Sequence, residues 1–470
     1  MAFSTLILAA GAGTRMVSSR AKATHELLGK PMIRWVVDAA LAAGTDRILT
    51  VVGHEREQVI PLVSETTIVV QEERLGTGHA IMVARAELEH MAAKGASLVV
   101  LSADTPLLKA ETVKALVETQ QGTGAAVCLL AHNMDDPSGY GRVVLGESGT
   151  VERVVEDRDA TDEEKRITLC NSGAYCFDLP LLLQSLEKLG NSNAQGEYYL
   201  TEVFSLLVRS GESVVASMGD ASEAQGVNDR LQLALASSLM QQRINTAWMM
   251  AGVTMLDPGS VWIGPDVELT NDVEILPQVI LSGKTRVSRG TIIGPNCRIV
   301  DSVIGRDCVI EESIILESQL EDDIECGPRA YLRPGTLMKL GSKAGTHVEI
   351  KNSTIGVNSK VPHLSYVGDA TLGNDVNIGA GAITCNYDGY EKHKTIIGDR
   401  AFIGSATMMV APITIGADTV TGAGSTITKD VPEGALGIER AEQKLVRGWV
   451  YKRRKDREEN RSRRNGRNGR

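Results

Sequence analysis

Apolar and polar positions follow two different periods along this chain, and the change falls near Gly252. Up to residue 228, short apolar runs alternate with segments of helical spacing. "STLILAAG" is apolar and ends in Gly, which predicts a buried strand. "MIRWVVDAALAAG" has helical spacing and a stop at Gly44. "RILTVVG" and "SLVVLSAD" predict two more strands, and "GHAIMVARAELEHMAAKG" predicts one helix closed by Gly95. This order predicts a largely parallel sheet covered by helices. Ligands of such sheets bind beyond the carboxyl ends of the strands, where Gly11, Gly13 and Asp104 fall. Residues 229–250 predict a connecting helix capped near Asn228 or Asp229.

After Gly252 bulky apolar residues recur every sixth position: Ile397, Ile403, Met409, Ile415 and Ile427, with Thr421 in the remaining slot. A second set stands two before the next bulky residue: Ala401, Thr407, Ile413, Thr419 and Ser425. Residues two apart share a strand face, so both sets point inward. Gly398, Gly404, Gly416 and Gly422 are then expected to take the bends. Ile293/Ile299, Ile304/Ile310 and Leu372/Ile378 obey the same rule. A hexapeptide repeat of this length is the signature of a parallel β-helix.

Composition narrows the class. The chain of 470 residues is 43% hydrophobic, 23% charged and only 4% aromatic, with 47 Gly, so it is a globular protein with many tight turns and aliphatic cores. The net charge of −10 is uneven: from Arg440 on, 13 Lys and Arg stand against four Asp and Glu. The acidic remainder disfavours general nucleic-acid binding. The basic tail reads either as a solvated, frayed terminus or as a binder of RNA, anionic lipid or an anionic cofactor. Seven cysteines show no CxxC pair or zinc spacing, as expected of a reducing cytosol. No run approaches the ~18 apolar residues of a membrane span, and no basic leader precedes the first apolar run. A cytoplasmic protein is expected.

Candidate chemistry in the first half centres on "LAAGAGTRM" (8–16). No GK[ST] follows, and Met16 stands at the third Gly of a dinucleotide fingerprint, so neither motif applies. Arg15 and Lys22 beside a backbone nest suit a triphosphate whose charge grows on a leaving pyrophosphate; singly, each is also a plausible solvated cation. Asp104 at a strand end suits Mg²⁺, or caps the turn "TPLLKAETV". "RLGTGHA" offers backbone groups to a base or phosphate, or is a plain turn. In the second half, the coils around 333–387 are unusually polar. Among them the imidazole of His363 is a candidate base at neutral pH. Glu349 is the candidate to fix its tautomer, and Arg333 and Lys351 are candidates to hold an anion such as a phosphate.

The opening and its downstream Lys resemble the sugar-nucleotide pyrophosphorylases. With "LGTGHA", "DTPLL", "GYGRVV", "VVEDRDAT", "NSGAY", "GEYYLTEV", "GVNDR" and "VPHLSYVGD", residues 3–450 resemble the bacterial bifunctional N-acetylglucosamine-1-phosphate uridylyltransferase/glucosamine-1-phosphate acetyltransferase family. The resemblance implies an α/β chain: a Rossmann-like nucleotidyltransferase domain (1–228), a linker helix (229–251), a left-handed parallel β-helix of hexapeptide repeats (252–437) and a basic tail (438–470). It implies that Leu8, Ala9, Ala10, Gly11 and Gly13 line the nucleotide, Arg15 and Lys22 face phosphates, and Gln71, Gly76 and Thr77 contact uracil. Gly141, Glu156 and Asn171 hold the amino sugar; Asp104 and Asn228 bind Mg²⁺. His363 is the base; Arg333, Lys351, Tyr366 and Asn377 bind glucosamine-1-phosphate; Ala380, Asn386, Tyr387, Ser405, Ala423 and Arg440 contact acetyl-CoA. UTP, glucosamine-1-phosphate and acetyl-CoA are the implied partners, in a homotrimer whose acetyltransfer sites lie between subunits. "YDGYEKHKT" interrupts the repeat, either as an extruded loop reaching a neighbour or as an inert insertion. Two positions depart from the family: Ala21 stands for Pro and Ala103 for Gly. The competing readings are a nucleotidyltransferase with a non-catalytic β-helix and a non-enzymatic regulatory subunit.

Overall fold

The structure, a computed structural model, describes the chain except residues 1, 93–94, 147–148 and 468–470 and the side chains of 463–467. The chain divides into two compact units, Met1–Val303 and Ile304–Arg470.

The first unit carries a nine-stranded sheet of β1 (Phe3–Ala9), β2 (Arg47–Val52), β3 (Thr67–Val70), β4 (Ser97–Ser102), β5 (Val127–Asn133), β6 (Arg142–Leu145), β7 (Val151–Val155), β8 (Leu169–Asp178) and β9 (Val214–Met218). Its order is β9-β5-β8-β4-β1-β2-β3, with the β6–β7 hairpin joined to β8. Strands β1, β2, β3 and β4 pair in parallel, as do β9 and β5; β8 runs antiparallel between β5 and β4. The sheet is therefore largely parallel, as its alternating pattern predicts. The direction of β8 leaves no trace in that pattern, because β8 too is buried along most of its length.

Both faces are covered. Leu6, Leu49, Val51 and Val100 pack on one side with Phe177 and Phe204, while Ile7, Val99 and Leu101 pack on the other with Val36, Val37 and Leu116. Burial on two faces explains why these strands read as continuous apolar runs. Helix Met32–Ala43 ends at Gly44, whose φ of 89° lets its N–H reach the Ala40 and Leu41 carbonyls. The single helix expected over 78–95 is corrected. It divides into Thr77–Val83 and Arg85–Glu89 around Ala84 (φ −87°, ψ 0°), a break for which apolar spacing carries no signal.

The connecting helix spans Arg230–Met250, and the Asp229 side chain caps it by accepting from the Gln232 N–H at 2.8 Å. Ala236 and Met240 bury against Leu27, Met32 and Leu107. On its polar side Gln241 and Asn245 donate to the carbonyl of Val261 at 2.7 and 2.9 Å. Short parallel strands follow at once, with Trp262 opposite Ile280 and Ile280 opposite Arg298.

The second unit continues in the same manner, as three stacks of short parallel strands consistent with the expected left-handed β-helix. The register step is 16 to 18 residues: Val309 lies opposite Glu325, Tyr331 opposite Glu349, and Glu349 opposite Tyr366. Every residue of both inward sets named above is buried. The expected role of the glycines is corrected. Gly398, Gly404, Gly416 and Gly422 do not have positive φ. A Cβ on Gly404 would lie 2.4 Å from the Thr421 carbonyl oxygen, and one on Gly398 would lie 2.5 Å from the Ala417 nitrogen. Close stacking of the next coil, not the bend, requires Gly there. The left-handed turn positions fall to residues such as Asp375, Arg400, Ala406 and Asp418.

At the interruption "YDGYEKHKT" the step widens to 25, with Asn377 opposite Phe402 and Ile383 opposite Met408. Beyond the coils, the basic segment forms a helix, Trp449–Arg467, exposed to solvent from Trp449 to Ser462. Its Lys, Arg and Glu are good helix formers, and Arg453 lies 5.2 Å from the Trp449 ring centroid.

Candidate functional site

The end of β1 turns through Ala10–Gly13 into a single 3-10 turn, Thr14–Met16. A Cβ on Gly11 would meet no atom within 4 Å, so this backbone lies open to a ligand. Gly13 has φ +60°, and a Cβ there would sit 2.5 Å from the Cβ of Lys22. Gly13 thus lets Lys22 fold back under the turn. Leu8, Ala9, Ala10, Gly11, Lys22, Gln71, Gly76, Thr77 and Asp104 line one cleft of about 470 Å³. The residues read from separate stretches of the chain come together.

At one end of the cleft the Lys22 ammonium donates to Asn228 Oδ1 at 2.8 Å and forms an ion pair with Asp104. Ser102 Oγ donates to the other Asp104 oxygen at 2.6 Å. Burial pushes the Asp104 carboxyl up, but the Lys22 cation and the Lys22 and Ser102 donors outweigh it and hold it below the usual carboxylate range. The Val227 N–H donates to the Asp104 carbonyl at 2.8 Å, which brings Asn228 beside it. Asp104 and Asn228 therefore present two hard oxygens to one cation, here the Lys22 ammonium. This donor set fits a divalent cation. No group of three or more His, Cys, Asp or Glu side chains forms a metal cluster among the described residues, so further ligands would be phosphate oxygens and water.

Gln71 is buried and donates from Nε2 to the Gly76 carbonyl at 3.2 Å and toward His79 Nδ1 at 3.0 Å. A Cβ on Gly76 would lie 2.7 Å from the Tyr198 carbonyl oxygen, so the "GTG" turn is packed tightly under the "EYY" segment. Gly141, Glu156 and Asn171 also meet: the Asn171 N–H donates to the Gly141 carbonyl at 2.8 Å, and Glu156 accepts from Thr201 Oγ1 at 3.0 Å. Burial pushes the Glu156 carboxyl up. Arg15 sits on the exposed 3-10 turn, bonded to no side chain among the described residues and outside the cleft lining. Arg74, Ser102 and Glu197 line the cleft and were not singled out from sequence. Arg74 opens "RLGTGHA" and Glu197 lies within "GEYYLTEV", so both stand in quoted motifs although neither was given a role of its own. Of the departures, Ala103 is buried in the cleft wall, and the Ala21 N–H donates to Gln58 Oε1 at 2.9 Å, a bond Pro could not make.

In the second unit Arg333, Lys351, Tyr366 and Asn386 gather on one side of the coils. Their centre is Asp369, nearly buried and with φ +51°, which the sequence reading missed. Asp369 accepts from Asn352 Nδ2 at 2.6 Å and Asn386 Nδ2 at 2.5 Å, and its carboxylate lies 3.6 Å from Lys351 Nζ. Burial pushes this carboxyl up, and those donors more than offset it. Lys392, also missed, comes from the interrupting loop to the side of Lys351, and that neighbouring cation pushes its own ammonium down. Asp388 and His393 pair at 2.7 Å within that loop.

Glu349 was expected to orient His363. Within one chain the two do not meet: the Glu349 carboxylate accepts from Arg333 at 2.8 Å, on a strand of a different stack from Lys360–His363. His363 is exposed at the end of its strand. Stacked registers place Val361, Ile378, Ile403 and Thr421 in one buried column. Two residues on, His363, Ala380, Ser405 and Ala423 share the same corner, tied by Gly381 N–H to His363 O (3.2 Å), Ala406 N–H to Ala380 O (2.8 Å) and Gly424 N–H to Ser405 O (2.8 Å). Asn377 lies on the stack of Lys343 and Lys360, apart from Arg333, Lys351 and Tyr366. Tyr387 and Arg440 are exposed.

Residues 5–168 match the MobA-like NTP transferase domain. Proteins named bifunctional protein GlmU resemble the chain along almost all of its length. That of Heliobacterium modesticaldum is 48% identical over 452 residues, 96% of this chain and 98% of its own. That of Caldanaerobacter subterraneus subsp. tengcongensis is 47% identical over 450 residues, with the same shares covered. That of Carboxydothermus hydrogenoformans is 48% identical over 440 residues, 93% of this chain and 98% of its own. A cleft built on a Gly-rich turn, followed by stacked coils with a polar corner, thus comes with close relatives that span both, and the chain belongs to the GlmU family of bifunctional proteins.

Proposed function

We propose how the residues of this chain divide the two reactions of its family. The chain synthesises UDP-N-acetylglucosamine: acetyl transfer from acetyl-CoA to glucosamine-1-phosphate, then uridylyl transfer from UTP to N-acetylglucosamine-1-phosphate with release of pyrophosphate. Residues 1–228 carry uridylyl transfer, 229–251 link, and 252–437 carry acetyl transfer, with 438–470 as a basic tail. The product serves cell-wall peptidoglycan and lipopolysaccharide synthesis in the cytoplasm.

For uridylyl transfer, the backbone of Leu8–Gly13 cradles the nucleotide, Gln71, Gly76 and Thr77 hold uracil, and Gly141, Glu156 and Asn171 hold the sugar. The attacking phosphate oxygen is already anionic, so positioning and charge neutralisation carry the rate. Lys22 and Arg15 neutralise the triphosphate and leaving pyrophosphate. Asp104 and Asn228 would hold Mg²⁺, which would supply further charge neutralisation at the phosphates. The convergence of Lys22, Asp104 and Asn228 on one point of the cleft carries this reading.

For acetyl transfer, His363 takes a proton from the sugar amine as it attacks the thioester carbonyl, and the coenzyme thiolate leaves. Arg333 and Lys351 hold the sugar phosphate, with Tyr366 beside them. Ala380, Ser405 and Ala423, with Asn386, Tyr387 and Arg440, hold acetyl-CoA along the coil corner. The separation of Asn377 from Arg333 and Lys351 supports a homotrimer in which a neighbour completes the site. The scaffold-only and regulatory alternatives are not favoured, since the relatives span both halves and are named bifunctional. Asp104→Ala is expected to lower pyrophosphate release at least about a hundredfold and leave thiol release intact. His363→Ala is expected to do the reverse, by about 10²–10⁴-fold. Loss of both activities in either folded variant would defeat the division.

A further inference from the structure

The "GVNDR" segment contributes more than Asn228. Three successive parts of it reach the phosphate end of the cleft. The Val227 N–H bonds the Asp104 carbonyl at 2.8 Å, Asn228 accepts from Lys22 at 2.8 Å, and Arg230 Nε donates to the Met16 carbonyl at 3.2 Å. Arg230 Nη1 also lies 3.5 Å from Nδ1 of the buried His25. Met16 closes the 3-10 turn that bears Arg15, and this turn is bracketed by two left-handed residues, Gly13 at φ 60° and Val17 at φ 47°. For Gly13 that conformation is easy, but for a β-branched residue it is a strained outlier that persists only where surrounding contacts enforce it. Val17 is 88% exposed, so its side chain packs on almost nothing. The turn's own bonds, Met16 N–H to Gly13 O at 2.9 Å and Val17 N–H to Thr14 O at 3.3 Å, are joined by the buried Met16 side chain and the guanidinium on its carbonyl.

We propose that Arg230, at the start of the connecting helix, is a positioning residue for uridylyl transfer: it pins the Met16 carbonyl and so aims Arg15 at the triphosphate. Asp229 caps the same helix, which fixes Arg230 relative to Asn228. The C-terminal end of the Gly-rich turn, at Met16, and Lys22 beyond it are thereby both held at the start of one helix. The proposal rests on the phosphate role of Arg15 assigned above.

A double-mutant cycle in the full chain tests it, with kcat and KM measured for UTP and for N-acetylglucosamine-1-phosphate, and acetyl transfer as the folding control. Arg230→Ala is expected to raise the KM for UTP about ten- to a hundredfold, the range of a lost charged hydrogen bond. The KM for the sugar phosphate and the acetyl transfer rate stay unchanged, and Arg230→Lys recovers most of the loss. In an Arg15→Ala background, Arg230→Ala adds at most about twofold, because the two act as one unit. Independent losses that multiply in the double variant would overturn the proposal, as would equal rises in both KM values. Arg15→Ala impaired with Arg230→Ala silent overturns the proposal alone. Arg15→Ala silent with Arg230→Ala impaired overturns the assigned role of Arg15 and, with it, the route through which Arg230 acts. Should Arg230→Ala also lose acetyl transfer, the Lys variant decides: a UTP KM left raised tenfold despite intact acetyl transfer contradicts the expected recovery.

Discussion

The cleft of the α/β sheet and the polar corner of the coils are assembled by opposite means. In the cleft, Lys22, Asp104 and Asn228 meet although 82 and 206 positions separate Lys22 from its two partners. Nothing periodic joins them; a parallel sheet with its loops at one end does. In the coils, His363, Ala380, Ser405 and Ala423 share a corner because the register repeats. Each coil adds one rung about 4.8 Å from the last. Convergence makes a site whose parts depend on distant packing, and repetition makes one whose parts depend on a local rule applied many times.

That contrast can be broken or sharpened by substitution. The largest effect beyond the catalytic groups is expected at Asp369, where a single nearly buried carboxylate joins Asn352, Asn386 and Lys351. Asp369→Ala should lower acetyl transfer about a hundredfold through misplacement of these side chains, with uridylyl transfer retained; paired thiol and pyrophosphate assays measure both. An unchanged thiol rate would mean that repetition alone, without this convergent node, places the corner. Ile403→Ala, in the fully buried column, should cost about 2–5 kcal/mol of stability in denaturant melts while both rates persist at low temperature. A loss of acetyl transfer without a loss of stability would blur the distinction between core and corner. The smallest effect is expected at Ala21→Pro. The backbone at Ala21 (φ −56°, ψ 139°) already suits Pro. The lost bond to Gln58 costs about 0.5–1.5 kcal/mol, and stiffening the unfolded chain returns about 0.4–1 kcal/mol. A midpoint shift larger than the difference would show that the turn before Lys22 is under more constraint than its dihedrals suggest.

The same contrast governs how much could be read from sequence. The inward positions Ile397, Ile403, Met409 and Ile415 were legible because a period of six is visible in one line of text. The strands β1, β2 and β4 were legible because burial on both faces leaves unbroken apolar runs. What escaped was set by pairing partners. The antiparallel course of β8 and the break at Ala84 depend on neighbours that no local pattern names. Asp369 escaped because an Asp in a turn is ordinary until its three donors are seen. The pairing of Glu349 with Arg333 was missed for a geometric reason: Glu349 and His363 belong to different stacks. The coil glycines were noticed for the right positions and the wrong cause, since stacking distance is invisible in a single chain trace.

The widening of the step from 16–18 to 25 residues around Asn386–Lys394 leaves the strands on both sides in step: Ala370 faces Thr395 and Ile383 faces Met408. The extra length from Tyr387 to Lys394 lies at the outside of one turn, while the buried Asn386 before it turns in to Asp369. A coil of this kind is tolerant of grafts at its corners and intolerant along its flats. New polar groups such as Lys392 and His393 can be acquired there by lengthening a single bend, with folding left indifferent to the acquisition.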